Sequence, residues 1–352
     1  MKIAFYAPLK APDHPVPSGD RTMARAITAA LRHAGHEVCT TSDLRIYDKL
    51  GDKALQDTLF AEAEAETARL LTLPEAKSWP VWITYHNYYK APDLIGPAVC
   101  KALGIPYILI EATRARKRLR GPWERFEIAA EAACDAAHTI FYFTQQDAEA
   151  LFRDAHPGQI LNHLPPFLAH TDLPEKSSLN GPILAVGMMR PGDKLASYAM
   201  ICETLGMLDA DWSLHIAGDG PARIDVEGLF KRFGERVTFL GALAPDAMPQ
   251  VYANARCLFW PGVNEAFGMV YLEAQAAGLP VLAQDRPGVR DVVHGPRTAI
   301  DGGARAMAER LSHLLRSPQQ CQSEGASNRS KVQEAHMLGA AASCLDDTIK
   351  SL

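Results

Sequence analysis

The chain of 352 residues has no run of uncharged apolar residues long enough to span a bilayer, which requires about 20. The opening Met1 to Ala7 is broken at once by Pro8, so a cleaved secretory leader is not expected. Cysteine is sparse and unpatterned: there are seven, at Cys39, Cys100, Cys134, Cys202, Cys257, Cys321 and Cys344, with no Cys-x-x-Cys. An odd, scattered set argues against a disulfide framework and a zinc site, and fits buried thiols in a reducing cytoplasm. Positive charge is not in excess either. With 36 Lys and Arg against 41 Asp and Glu, the net charge of −5 argues against general nucleic-acid binding.

What remains is the composition of an ordinary globular protein, 47% hydrophobic and 22% charged, long enough for about two domains. Short apolar runs over 2–7, 37–41, 81–85, 107–110 and 139–143 read as strands. Between the first two, residues 18–35 carry apolar side chains at 23, 27, 30, 31 and 34, a capping Ser18 and a terminating Gly35, which predicts a helix. Residues 43–73, rich in Ala, Glu and Leu, read as one long helix. From 162 to 182 the text turns Pro-, Ser- and Asn-rich and loses its periodicity, as a linker does. The alternation then resumes, with strands expected over 183–186, 212–217, 236–240, 257–260 and 280–283 and helices over 193–207 and 246–255. Strand and helix alternating in this way predict α/β domains, each a parallel sheet covered by helices, with a cleft where strand ends face each other.

The most informative segment runs Pro261-Gly-x-x-Glu265-x-Phe267-Gly268-Met269-x-x-x-Glu273-Ala-x-Ala-x-Gly278-x-Pro280-Val281. A strand delivers a loop bearing Glu265 to a helix over 267–277, with Glu273 on that helix and Gly278 and Pro280 stopping it. Unpaired amides and the positive end of the helix dipole then lie beside two carboxylates that can accept bonds from ligand hydroxyls. The string resembles the signature of retaining, nucleotide-sugar-dependent glycosyltransferases of the GT-B fold, family 4 (glycosyl transferases group 1). The resemblance implies a GT-B architecture of two Rossmann-like domains with an inter-domain cleft. It places an acceptor-side domain at 1–170, a nucleotide-sugar donor domain at 171–335, and a helix over 336–352 packing back on the first domain. It further implies that Glu273 binds the ribose, that Glu265 binds the donor sugar, and that the backbones of Phe267, Gly268 and Met269 hold sugar hydroxyls.

Other motifs fit that frame. Gly187-Met-Met-Arg190-Pro-Gly-Asp-Lys194 puts two cations after a strand, apt for a leaving diphosphate, and the family carries an Arg and a Lys there. The turn Gly218-Asp-Gly220-Pro221 has Arg223 where a dinucleotide fingerprint needs a third glycine, so it reads as structural. Asp209-Ala-Asp211 mimics a metal-binding pair but reads as a solvated turn. In the first half, Ser18-Gly19 stands where the family has a glycine-rich loop near the donor phosphate, and His86 ends a strand from which the family directs a His to the donor sugar. The basic run Arg114, Arg116, Lys117, Arg118, Arg120 and Arg125 around Trp123 leaves two readings open: a solvated loop, or peripheral contact with an anionic membrane.

The expected function is transfer of a sugar from a nucleotide-diphosphate sugar to a sugar, lipid or small-molecule acceptor, with retention. Arg190 and Lys194 would take the place of a metal, no cofactor beyond the sugar nucleotide is expected, and the catalytic set is Glu265, His86, Arg190 and Lys194. The protein is expected in the cytoplasm or at the inner face of the membrane. Two rivals stay open: a nucleotide-sugar epimerase of the same fold, and a catalytically silent sugar-nucleotide-binding module.

Overall fold

The computed structural model describes residues 1–16 and 18–352, which divide into two compact units: Met1–Pro165 with Leu338–Leu352, and Pro166–Met337. In the first, strands β1 (Lys2–Tyr6), β2 (Glu37–Thr40), β3 (Trp82–Asn87), β4 (Tyr107–Ala112), β5 (Thr139–Tyr142) and β6 (Ile160–His163) form a parallel sheet in the order β2-β1-β3-β4-β5-β6. In the second, β7 (Ile183–Val186), β8 (Leu214–Ala217), β9 (Val237–Gly241), β10 (Cys257–Phe259) and β11 (Val281–Leu282) form another in the order β11-β10-β7-β8-β9. Central strands such as β5 and β10 are buried along their whole length. This is why they read as unbroken apolar runs rather than as alternations.

Both orders reverse direction once, between β1 and β3 in the first sheet and between β7 and β10 in the second. In open α/β sheets ligands bind beyond the carboxyl ends of the strands at such a reversal. The Gly19–His33 helix that follows β1 starts as the sequence predicts, with Ser18 Oγ accepting from the Arg21 amide at 3.2 Å and Asp20 in the first turn.

Two expectations need correction. Residues 43–52 are not helical. Asp48 Oδ1 accepts from the amides of Leu50 and Gly51, Gly51 sits at φ +79°, and Asp52 caps a shorter helix, Lys53–Thr72. The expected linker over 162–182 is entered by β6, a partly exposed edge strand whose Ile-Leu-Asn-His text shows no alternation. The C-terminal text forms two helices, Pro318–Ala335 and Leu338–Lys350. The second packs on the Gly19–His33 helix of the first unit, where Asp346 lies 3.2 Å from His36 Nε2. Unit boundaries fall at 165/166 and 337/338 against the expected 171 and 335.

Candidate functional site

In the second unit the segments leaving β7 and β10 are neighbours, since the two strands pair directly. Lys194, in the first turn of the Asp193–Gly206 helix, reaches Glu265 Oε2 at 2.5 Å, and the Trp260 indole donates to the same oxygen at 3.1 Å. The Lys194 ammonium also lies 5.2 Å from the Trp260 ring centroid. Asn264, at φ +47°, ties the two loops through Asp193 at 2.9 Å. Glu265 and Lys194 are therefore joined, whereas the sequence suggested separate tasks. Arg190 is exposed and has no ion pair among the described residues.

Glycine makes this edge possible. A Cβ on Gly218 would stand 1.9 Å from the Gly187 carbonyl oxygen, and one on Gly220 would stand 2.4 Å from that of Met189. The Gly218-Asp-Gly220-Pro221 turn thus supports the loop that carries Arg190, as its structural reading anticipated. Gly288 plays the same part under the carboxylate loop, where an added Cβ would fall 1.5 Å from the Ala266 oxygen. Asp209 and Asp211 precede β8 and so lie toward the opposite, amino edge of the sheet.

The helix after β10 is Met269–Ala276, entered through Gly268 at φ +73° with no side-chain cap. In its first turn the Tyr271 amide bonds the Gly268 carbonyl at 3.1 Å, and no side chain caps the turn. Glu273 lies one turn further on, and its Oε2 accepts from the buried Tyr252 hydroxyl at 2.6 Å. Burial raises the Glu273 pKa, and the Tyr252 bond only partly offsets it.

In the first unit, His86 sits near the end of β3 and Glu111 near the end of β4, in matching positions of paired strands. Both are in the left-handed region, at φ +68° and +60°. His86 Nδ1 is 3.3 Å from Asp20 Oδ1 and 3.9 Å from Glu111 Oε2, and its ring stacks on Tyr88 at 4.6 Å. Burial alone would depress the imidazole pKa, but the charge of Glu111 and the bond to Asp20 raise it. Burial also raises Glu111, against the pull of His86, while the bond to His86 lowers Asp20. The sequence singled out His86 but neither Glu111 nor Asp20, which lie beside it. Asp20 was visible as a first-turn acid, but a single acid near a strand end such as Glu111 gives no local signal. Gly19 stands at the start of the Asp20 helix, and a Cβ there would meet nothing within 4 Å.

The basic run is less free than its text suggests. Arg114 is buried against Glu131 and Asp135, Arg116 pairs with Asp154, and Arg125 pairs with Asp57. Lys117, Arg118 and Arg120 have no carboxylate partner among the described residues, and the Arg118 guanidinium lies 4.9 Å from the Tyr89 ring centroid and 5.2 Å from that of Trp123. Among the described residues no helix is long and apolar enough to cross a membrane.

Residues 182–317 match the family model described as glycosyl transferases group 1. That match lies within the second unit, and the chain as a whole has the GT-B fold of two Rossmann-like units. Over 119 residues it is 34% identical to a GDP-mannose-dependent alpha-mannosyltransferase of Mycolicibacterium smegmatis, covering 32% of this chain and 31% of that enzyme. The chain thus spans about a third of the length of this curated relative. Sucrose-phosphate synthase from Thermosynechococcus elongatus superimposes with a TM-score of 0.72 at 18% identity, covering 99% of this chain and 98% of that one. Anabaena HepE, solved with UDP and glucose, superimposes with a TM-score of 0.71 at 15% identity over the full length of both.

Proposed function

We propose that this protein transfers a sugar from a nucleotide-diphosphate sugar to an acceptor, with retention of configuration and without a metal. The observation that carries this is the Lys194–Glu265 pair, set between neighbouring loops at the point where the second sheet reverses, inside the segment that matches group 1 glycosyl transferases. On this reading Glu273 accepts from the ribose hydroxyls with the oxygen that Tyr252 leaves free. Glu265 and the backbone of Phe267, Gly268 and Met269 hold the donor sugar. Arg190 and Lys194 face charge growing on the departing diphosphate, a preorganised electrostatic contribution that needs no further cofactor. Glu265 acts as a binding group and is assigned no covalent role. His86 supplies the contribution of the first unit to the sugar being moved, and Gly19 lets the chain approach a ligand closely.

Calorimetry against a panel of nucleotide diphosphates and their sugars tests the donor assignment, followed by assay with chelator present. Binding of a sugar nucleotide, with acceptor-dependent release of the nucleotide unaffected by chelator, is the expected result. Absence of nucleotide binding would overturn it. One observation favours a second reading: the His86, Glu111 and Asp20 cluster is the kind of acid/base set an epimerase of this fold would use. Conversion of the donor without any acceptor would favour the epimerase, and tight binding without turnover would favour a silent module.

Lys117, Arg118 and Arg120, which have no carboxylate partner among the described residues, support a further proposal, reversible docking of a cytoplasmic protein on an anionic membrane. Leu50, 78% exposed, adds an apolar side chain next to Gly51, whose Cα backs onto Pro122 of the basic loop.

A further inference from the structure

The strand expected over 257–260 ends at Phe259, and Trp260 is the first residue past it, on the loop that carries Glu265. Its side chain is fully buried. Gly187, where the chain leaves β7, has no room for a side chain of its own: a Cβ there would stand 2.5 Å from the indole ring. Tyr198 of the Asp193–Gly206 helix meets the ring edge-on, with centroids 5.2 Å apart and planes at 78°, and its hydroxyl donates to the Gly187 carbonyl at 2.6 Å. Tyr271 of the Met269–Ala276 helix donates to the Trp260 carbonyl at 3.1 Å. The segments leaving β7 and β10, together with the helices that follow them, therefore hold this indole in one orientation.

An indole has a single polar hydrogen. A phenyl ring would fill much of the same space without one. Here that hydrogen goes to Glu265 Oε2, the oxygen that Lys194 also holds, and the face of the same ring lies 5.2 Å from the Lys194 ammonium. Both members of the ion pair thus rest on one fixed side chain. The transferase reading gives them separate tasks, the sugar for Glu265 and the diphosphate for Lys194, and they take up those tasks only by parting. Glu265 is 16% exposed, so a carboxylate abandoned there by its cation would be costly. A hydrogen bond that stays lowers that cost and keeps the carboxylate aimed. The ring face attracts the ammonium as well, so the cation too keeps a contact as it moves.

We infer that Trp260 is a positioning residue for the donor sugar: its N–H holds Glu265 while Lys194 passes from that carboxylate to the diphosphate. The inference deepens the transferase reading and rests on it. Trp260 acts through Glu265, and the sequence, which placed it as the last apolar residue of a strand, gave no sign of this.

The test measures, by calorimetry on the full chain, affinity for UDP-glucose against UDP and for GDP-mannose against GDP. It does so in the wild type, Trp260→Phe, Glu265→Ala and the double variant. Trp260→Phe keeps a ring and removes the donor. The ratio of sugar-nucleotide to free-diphosphate affinity should fall about tenfold, which is about 1.4 kcal/mol, with the free diphosphate bound as before. In the Glu265→Ala background the same substitution should lower the ratio no further, because a residue acting through Glu265 has nothing left to act on. An unchanged ratio in Trp260→Phe, an equal loss of affinity for the free diphosphate, or a further fall in the Glu265→Ala background would each overturn the inference. Should Trp260→Phe not fold, nitrogen-15 NMR decides: of the five indole N–H signals of the chain, one should move in Glu265→Gln, and if none moves the inference fails. Failure of the wild type to bind any nucleotide would strike the transferase reading and the donor role together, whereas binding with an unchanged ratio in Trp260→Phe strikes the positioning role alone.

Discussion

The hydroxyl of Tyr252 donates to Glu273 Oε2 at 2.6 Å, and the tyrosine is 3% exposed. The bond aims the carboxylate and holds down a pKa that burial raises. Tyr252→Phe keeps the ring but leaves a buried carboxylate one bond short. The expected cost is about 1–3 kcal/mol in stability or in nucleotide-diphosphate affinity, with the affinity loss larger at mildly acidic pH as Glu273 protonates more readily. Denaturant unfolding and calorimetry check both. Unchanged values in both would remove Tyr252 from the account.

Arg190 has no partner to lose, so Arg190→Ala should leave stability within about 0.5 kcal/mol, as exposed substitutions usually do. If it acts on the leaving diphosphate, turnover should fall further than donor affinity. Lys194→Ala should behave alike in turnover but also free Glu265 from its ion pair. A double variant with full activity would refute the charge-stabilising role.

Two glycines make opposite predictions. Gly288→Ala drives a methyl into the Ala266 carbonyl and should cost about 1–3 kcal/mol, the range for overpacking. Gly19→Ala meets open space and should fold normally. Lost activity at Gly19→Ala with an unchanged melting temperature would mark close approach by a ligand. Full activity would make Gly19 dispensable.

The basic loop rests on Glu127, whose Oε1 accepts from the Ala115 amide at 2.6 Å. Burial, only partly offset by that bond, pushes this carboxyl up to about 7. A raised carboxyl binds its proton more tightly in the folded state, so its ionisation lowers stability as pH climbs from the ordinary carboxylate range to about 7. Glu127→Gln removes that slope. Melting curves of the two proteins should diverge toward pH 7, with the variant the more stable there; parallel curves would contradict the buried-acid assignment.

Docking on anionic lipid would draw on Lys117, Arg118 and Arg120, each contributing about 1 kcal/mol near a charged surface. Co-sedimentation with anionic vesicles should exceed that with neutral ones, fall as salt rises, and drop in the triple Ser variant. Equal and negligible binding to both vesicle types would leave the run as a solvated loop.

The second unit was the more legible half, because its site is written contiguously. A strand, a loop with Glu265 and a helix with Glu273 follow one another, and the helix stops at Gly278 as its text says. Contacts that join distant segments were not legible: Tyr252 to Glu273, Lys194 to Glu265, Asp20 and Glu111 around His86. Each depends on strand order, and strand order is not a local property. The broken helix at 43–52 was missed because Ala, Glu and Leu content outweighed a side chain, Asp48, that bonds its own backbone. The paired state of Arg114, Arg116 and Arg125 was hidden for the converse reason, since their acidic partners lie elsewhere in the chain.

The return of Leu338–Lys350 to the Gly19–His33 helix makes the first unit discontinuous, built from segments on either side of the second. During synthesis the second unit, an uninterrupted stretch, can fold as it emerges. The first must wait with one helix face uncovered until Leu338–Lys350 leaves the ribosome. A deletion of the last fifteen residues, Leu338 to Leu352, would therefore injure the unit made first and spare the one adjoining the cut.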